Sequence, residues 1–175
     1  NASMDCCIVN RETLLEIIDH STADYLDLLE ALQGDFGNID VCSYEYKGEV
    51  VGVFSEKSLY RRSMDLLDQT VADQLFDPER PILTKAHDVP PSRYATGSHA
   101  CNSIISAGCI IKGTVRNSIL SRGVVVEEGA SVTNSIINKL LIKSGARVEN
   151  AILDKNNVVP TNTELRGTPE NILVL

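Results

Sequence analysis

The sequence predicts a parallel β-helix of about four coils, preceded by a truncated α/β segment. Three observations predict it. First, one short phrase recurs four times in the second half: Asn102-Ser-Ile-Ile, Asn117-Ser-Ile-Leu, Asn134-Ser-Ile-Ile and Asn150-Ala-Ile-Leu, at spacings of 15, 17 and 16 residues. A fixed period is the mark of a repeat architecture, and this one is too short for a pair of helices. Second, each period carries a short branched aliphatic run (Cys109-Ile-Ile111, Val124-Val-Val126, Leu140-Leu-Ile142, Val158-Val159) bounded by Gly, Asn or charged residues. Third, small residues follow the apolar ones, as in Gly129-Ala130 and Gly145-Ala146, and the interior of a β prism is narrow.

Equivalent residues of such a prism stack about 4.8 Å apart on neighbouring coils. The Asn column then reads as a corner ladder, because Asn tolerates turn conformations and its amide bonds to its neighbours. One of the two adjacent apolar residues of each phrase must point inward, and Ile119 and Ile136 are assigned there. Apolar positions six apart, Val126/Val132 and Ile142/Val148, resemble the hexapeptide repeat of left-handed β-helices. That resemblance supplies the handedness.

The β-helix domain is placed at residues 98–175, with its repeats over 98–165. Residues 68–97 form a connector containing Pro81, Pro90 and Pro91. Residues 1–67 read as the tail of a larger α/β domain whose front lies upstream. In that tail residues 4–9 read as a strand and Arg11–His20 as a helix capped by Asn10. Ser21-Thr-Ala-Asp24 resembles a capping box opening a second helix with Tyr25, Leu28, Leu29 and Leu32. Gly34–Asn38 form a loop. Ile39–Tyr46 and Val50–Phe54 read as strands about a Lys47-Gly48 turn, Glu56–Leu67 as a helix and Thr70–Phe76 as a short one.

The formal net charge of −8 is unevenly placed. Residues 1–67 contribute −8, residues 68–97 contribute −2 and residues 98–175 contribute +2. Without a basic patch interleaved with aromatics, nucleic acid is a poor partner. No run approaches 18 apolar residues and no signal pattern opens the chain, so a soluble, cytoplasmic protein away from membranes is expected. The five cysteines fit no zinc spacing. Cys101 and Cys109 occupy repeat positions suited to small apolar residues and read as buried, inert thiols. His20, His87 and His99 are scattered, with no Cys or carboxylate at ligand spacing.

Further residues carry a family resemblance. In order they are Met64-Asp-Leu-Leu67, Arg80-Pro-Ile-Leu-Thr-Lys85, Pro90-Pro-Ser-Arg93 and Cys109-Ile-Ile-Lys-Gly-Thr-Val-Arg-Asn-Ser-Ile-Leu-Ser-Arg-Gly-Val124. The chain resembles, over nearly its whole length, the C-terminal part of the glucose-1-phosphate adenylyltransferase (ADP-glucose pyrophosphorylase) family. That family makes ADP-glucose from ATP and glucose 1-phosphate for glycogen synthesis, with magnesium. The resemblance implies a metal-binding Asp in a Trp-x-Asp-Val-Gly-Thr strand before the Met-Asp-Leu-Leu helix. Here the stretch reads Val50-Val-Gly52-Val-Phe54-Ser55, so Gly52 stands at the Asp position. Gly34-Asp35-Phe36-Gly37 keeps part of a second family segment without its His. Both departures favour the GlgD type, a subunit thought to modulate a catalytic partner.

The expectation is therefore an oligomerisation and regulatory portion with no cofactor of its own. Its partners would be a homologous catalytic subunit or itself, in a tetramer-type assembly, and a phosphorylated sugar activator. Arg116, Arg122, Lys143 and Arg147 are the candidate activator phosphate contacts, against the plain alternative of solvated corners. A catalytic-type subunit fragment is an alternative. So is a hexapeptide-repeat acyltransferase, although only His99 lies near the coils to serve as a base.

Overall fold

The computed structural model describes residues 6–20, 30, 40, 42–48, 50–85, 87–155 and 157–175. The chain divides into two compact units, Asn1–Val50 and Val51–Leu175.

In the first unit, α1 spans Arg11–His20. Asn10 caps it as the sequence predicts: its Oδ1 accepts the Thr13 N–H at 2.8 Å, satisfying one of the unpaired donors of the first turn. Ile17 is its buried residue. The expected second helix, with Tyr25, Leu28, Leu29 and Leu32, and the loop Gly34–Asn38 with Asp35 and Phe36 lie outside the described residues. The three expected strands are corrected. Residues 6–9, 42–46 and 50–54 are irregular where described. A strand persists only by pairing, and these segments have no ladder partner among the described residues. Their apolar side chains, among them Ile8, Tyr44, Val53 and Phe54, stay exposed.

The second unit opens with α2 (Glu56–Asp65). Ser55 and Ser58 close a reciprocal cap: Ser55 Oγ accepts the Ser58 N–H at 3.1 Å and Ser58 Oγ accepts the Ser55 N–H at 2.8 Å. Serine here takes the position usually held by Glu or Gln. Helix α3 (Gln69–Leu75) is capped by Asp68, whose carboxylate accepts the Thr70 N–H. Asp77 then closes a turn through the Glu79 N–H and Arg80.

From there the chain winds a parallel β-helix with three flat faces of five strands each. Face A stacks β1 (Arg93–Tyr94), β4 (Ile110–Ile111), β7 (Val125–Val126), β10 (Leu141–Ile142) and β13 (Val158–Val159). Face B stacks β2 (His99–Cys101), β5 (Thr114–Arg116), β8 (Ser131–Thr133), β11 (Arg147–Glu149) and β14 (Glu164–Arg166). Face C stacks β3 (Ile104–Ile105), β6 (Ile119–Leu120), β9 (Ile136–Ile137), β12 (Ala151–Leu153) and β15 (Leu173–Val174). The first strand, Arg93–Tyr94, thus falls within the stretch 68–97, and Leu173–Val174 pairs with Ala151–Ile152 as a regular rung.

Alternation fills the prism. Ile111, Val126 and Ile142 of face A, Val115, Val132 and Val148 of face B, and Leu120 and Ile137 of face C are all at most 1% exposed. Full burial of each such side chain is worth about 1.5–3 kcal/mol. The inward assignment of Ile119 and Ile136 is therefore corrected: the second apolar residue of each phrase, Leu120 and Ile137, points inward. The reason is the residue before it. Ser118 and Ser135 are completely buried, and strand alternation then turns the next residue outward.

The phrase Asn-Ser has a mechanism. Asn102, Asn117, Asn134 and Asn150 hold φ values of 43, 45, 46 and 50°, the left-handed region that Asn tolerates. Their amides form a ladder, with Nδ2 donating to the next Oδ1 at 2.9, 3.3 and 3.3 Å and ending on the Gly167 carbonyl at 3.2 Å. The serines bridge coils. Ser118 Oγ donates to the Arg116 carbonyl at 2.6 Å and accepts the Ser135 N–H at 3.1 Å. Ser135 Oγ donates to the Thr133 carbonyl and accepts the Ala151 N–H. A buried corner backbone that would lack a partner is satisfied in this way.

Candidate functional site: a basic corner of the prism

The corner leaving face C has a different chemistry at each level. One column after the inward residues reads Ser106, Ser121, Asn138, Asp154. The Ser121 hydroxyl donates to Asn138 Oδ1, and Asn138 Nδ2 donates to Asp154 Oδ1 at 3.2 Å. The next column reads Ala107, Arg122, Lys139, Lys155. Strand register places these on successive coils, so three cations rise at about 4.8 Å per step. Their like charges oppose one another, and one carboxylate, Asp154, stands beside them. They line an open groove of about 460 Å³ with Ser106, Ser121 and Asn138.

Lys139 has a further peculiarity. The corner from Ile137 to Leu141 is one residue shorter than those from Leu120 to Val125 and from Leu153 to Val158. Lys139 sits at φ 28°, in the left-handed region that Gly108 and Gly123, one residue further along the corners of the coils before it, hold at φ 79° and 72°. A non-Gly residue in this region is strained, and such strain clusters at functional positions. Lysine stands where glycine would fit with less strain.

The four cations singled out in the sequence are not brought together. Arg116 and Arg147 share the outer side of face B, two strands apart. Arg122 lies at the corner leaving face C. Lys143 lies at the corner between faces A and B, its N–H bonded to the Val159 carbonyl. Face B has a groove of about 360 Å³ lined by Ser131, Thr133, Arg147, Glu149, Glu164 and Arg166. There Arg166 pairs with Glu149 at 2.8 Å and Glu164 at 3.5 Å, and the carboxylates disfavour an anion. Lys139 and Lys155 escaped the sequence reading. Each follows a different residue, so they share no phrase, and only the coil register aligns them with Arg122.

Gly52 lies in an irregular stretch three residues before the α2 cap. It supplies no carboxylate, and no cluster of three His, Cys, Asp or Glu side chains suited to a metal occurs among the described residues. The magnesium implied for the parent enzyme therefore has no fitting donor set among the described residues. His99, the sole candidate base for acyl transfer, is exposed on face B opposite Thr114. Cys109 is buried, its thiol donating to the Ser121 carbonyl at 3.1 Å. Cys101 is corrected to exposed, because its position in β2 faces outward beside Arg116. Among the described residues no helix is long and apolar enough to cross a membrane.

Helix α2 touches the β-helix at one polar point. The Tyr60 hydroxyl donates to the Asn134 carbonyl at 2.7 Å, and burial pushes the Tyr60 phenol above its ordinary pKa. Ile136 and Ile152 face outward on face C yet are only 9% and 6% exposed, so the middle of this face is covered.

Comparison with known proteins places this geometry in a family. The GlmU-like, C-terminal hexapeptide family matches residues 89–171, the β-helix. The GlgD glycogen biosynthesis protein of Bacillus subtilis (strain 168) is 35% identical over 175 residues, covering 99% of this chain and 51% of the relative. The GlgD protein of Geobacillus stearothermophilus is 35% identical over 131 residues, 74% of this chain and 38% of the relative. The glucose-1-phosphate adenylyltransferase of Corynebacterium jeikeium (strain K411) is 36% identical over 174 residues, 89% of this chain and 43% of the relative. The chain spans about half the length of the curated relatives it matches. A hexapeptide β-helix joined to these matches makes the chain a member of the glucose-1-phosphate adenylyltransferase family, in the C-terminal region it shares with the GlgD proteins.

Proposed function

We propose that this chain is the β-helix portion of a GlgD-type subunit in glycogen biosynthesis, serving assembly and regulation of ADP-glucose formation rather than the chemistry itself. The observation that carries the regulatory part is the basic corner. Arg122, Lys139 and Lys155 stack on one edge, and a phosphorylated sugar would neutralise a column of like charges that one Asp cannot. Gly52 supports the non-catalytic reading, since phosphoryl transfer needs a metal-bound carboxylate there. A catalytic-type subunit is the second reading, because the adenylyltransferase relative is as similar as the GlgD ones.

Calorimetric titration with a bisphosphorylated sugar tests the corner. The wild-type chain binds, and Lys139→Ser with Lys155→Ser weakens binding at least about tenfold, the equivalent of about 1.4 kcal/mol. Binding that is unchanged in this variant, or absent from the wild type, removes the regulatory part of the proposal.

A further inference from the structure

The three faces of the prism differ on the outside. Face B carries charges that pair among themselves. Face C carries an aliphatic column whose middle members, Ile136 and Ile152, are covered. Face A carries an aliphatic column too: Ile110, Val125, Leu141 and Val158, in register on successive coils. None of these belongs to the interior core. Ile110 and Val158 are 36% and 52% exposed, and Val125 and Leu141 are half-buried. The stripe is three coil steps tall, about 14 Å.

Beside it, at the ends of β7 and β10, stand Glu127 and Lys143 on adjacent coils. Glu127 Oε2 accepts the Ser144 N–H at 2.9 Å, which holds the carboxylate at this edge. A two-fold axis parallel to the strands, midway between β7 and β10, makes this face complementary to itself. It sets Val125 on Leu141 of the second copy and Ile110 on its Val158. It also sets Glu127 on the second copy's Lys143, twice over. Isologous pairing of this kind closes and leaves no free end.

We propose that face A is a self-docking surface, on which a second copy of this chain packs about that two-fold axis. The inference deepens the assembly reading above by naming its surface and symmetry. The stripe is smaller than the roughly 800 Å² per partner of a stable interface, so the pair is weak and concentration-dependent.

Sedimentation velocity on the 175-residue chain tests it. The wild type shifts from monomer toward dimer over roughly 0.01–1 mM, as a weak pair does. Leu141→Asp raises the dissociation constant at least about tenfold and melts close to the wild type, since its side chain lies outside the core. Glu127→Lys and Lys143→Glu each weaken the dimer, and the double reversal restores it, which a merely damaged fold would not do. Association that ignores all four variants leaves the assembly reading standing and overturns face A. A variant that loses binding to a catalytic subunit while keeping its self-association overturns the choice of a second copy. A wild-type chain that is monomeric throughout and binds no catalytic subunit overturns both the face and the assembly reading.

Discussion

At the scale of single residues, the repeated phrase divides its work. Asn takes the left-handed corner, Ser bridges two coils, the first aliphatic residue faces out and the second fills the prism. Leu120→Ala or Ile137→Ala should cost about 2–5 kcal/mol, because each leaves a cavity in a closed interior. Ile119→Ala, facing outward, should cost far less in the same urea denaturation. Ser118→Ala should cost about 1–3 kcal/mol, since it strands the buried Ser135 N–H. Lys139 carries the opposite expectation. Lys139→Gly relieves a left-handed lysine and should stabilise the chain by up to about 1 kcal/mol, while weakening anion binding in the titration. The phrase itself was legible because identical columns repeat. Its in–out phase was not, because two adjacent aliphatic residues look alike until the buried serine before them is seen.

At the scale of elements, local signals were readable and pairing was not. Asn10 before Arg11 marked the start of α1 in the sequence, since a cap is a contact within one turn, and the start of α2 at Glu56 was also as expected, although its Ser55 cap emerged only from the structure. The strands expected at residues 4–9, 39–46 and 50–54 had the right residue types but no ladder partner among the described residues, and strand type alone does not supply one. The basic corner failed to show for a related reason: Arg122, Lys139 and Lys155 meet only through the register of three coils, one with a shortened corner. Tyr60 links the two kinds of element. Its hydroxyl must be neutral to donate to Asn134, and burial raises its pKa. Its contribution is therefore complete below the unfolded value of about 10 and is lost as pH rises through the higher folded value. Hydrogen exchange of α2 should quicken in that alkaline window. Tyr60→Phe should show the faster exchange already at neutral pH, with no alkaline step.

At the scale of the whole molecule, a β-helix is a rigid scaffold whose outer faces are free to differ. Here one face is covered at its middle, one is charged and one carries a partly exposed aliphatic stripe, while one corner gathers cations. That division agrees with the role proposed above, a subunit that holds others and senses an anion. The proposed reading sets it apart from a subunit that carries out phosphoryl transfer, because the family resemblance puts Gly52 at the position of a metal carboxylate. The proposed function requires that this chain assemble with a catalytic partner and not itself make ADP-glucose. The direct measurement is magnesium-dependent ADP-glucose formation from ATP and glucose 1-phosphate, by the chain alone and with a catalytic glucose-1-phosphate adenylyltransferase subunit of the same organism. No turnover alone, together with an altered rate or activator response of the partner, is the expected result. Turnover by the chain alone would contradict it.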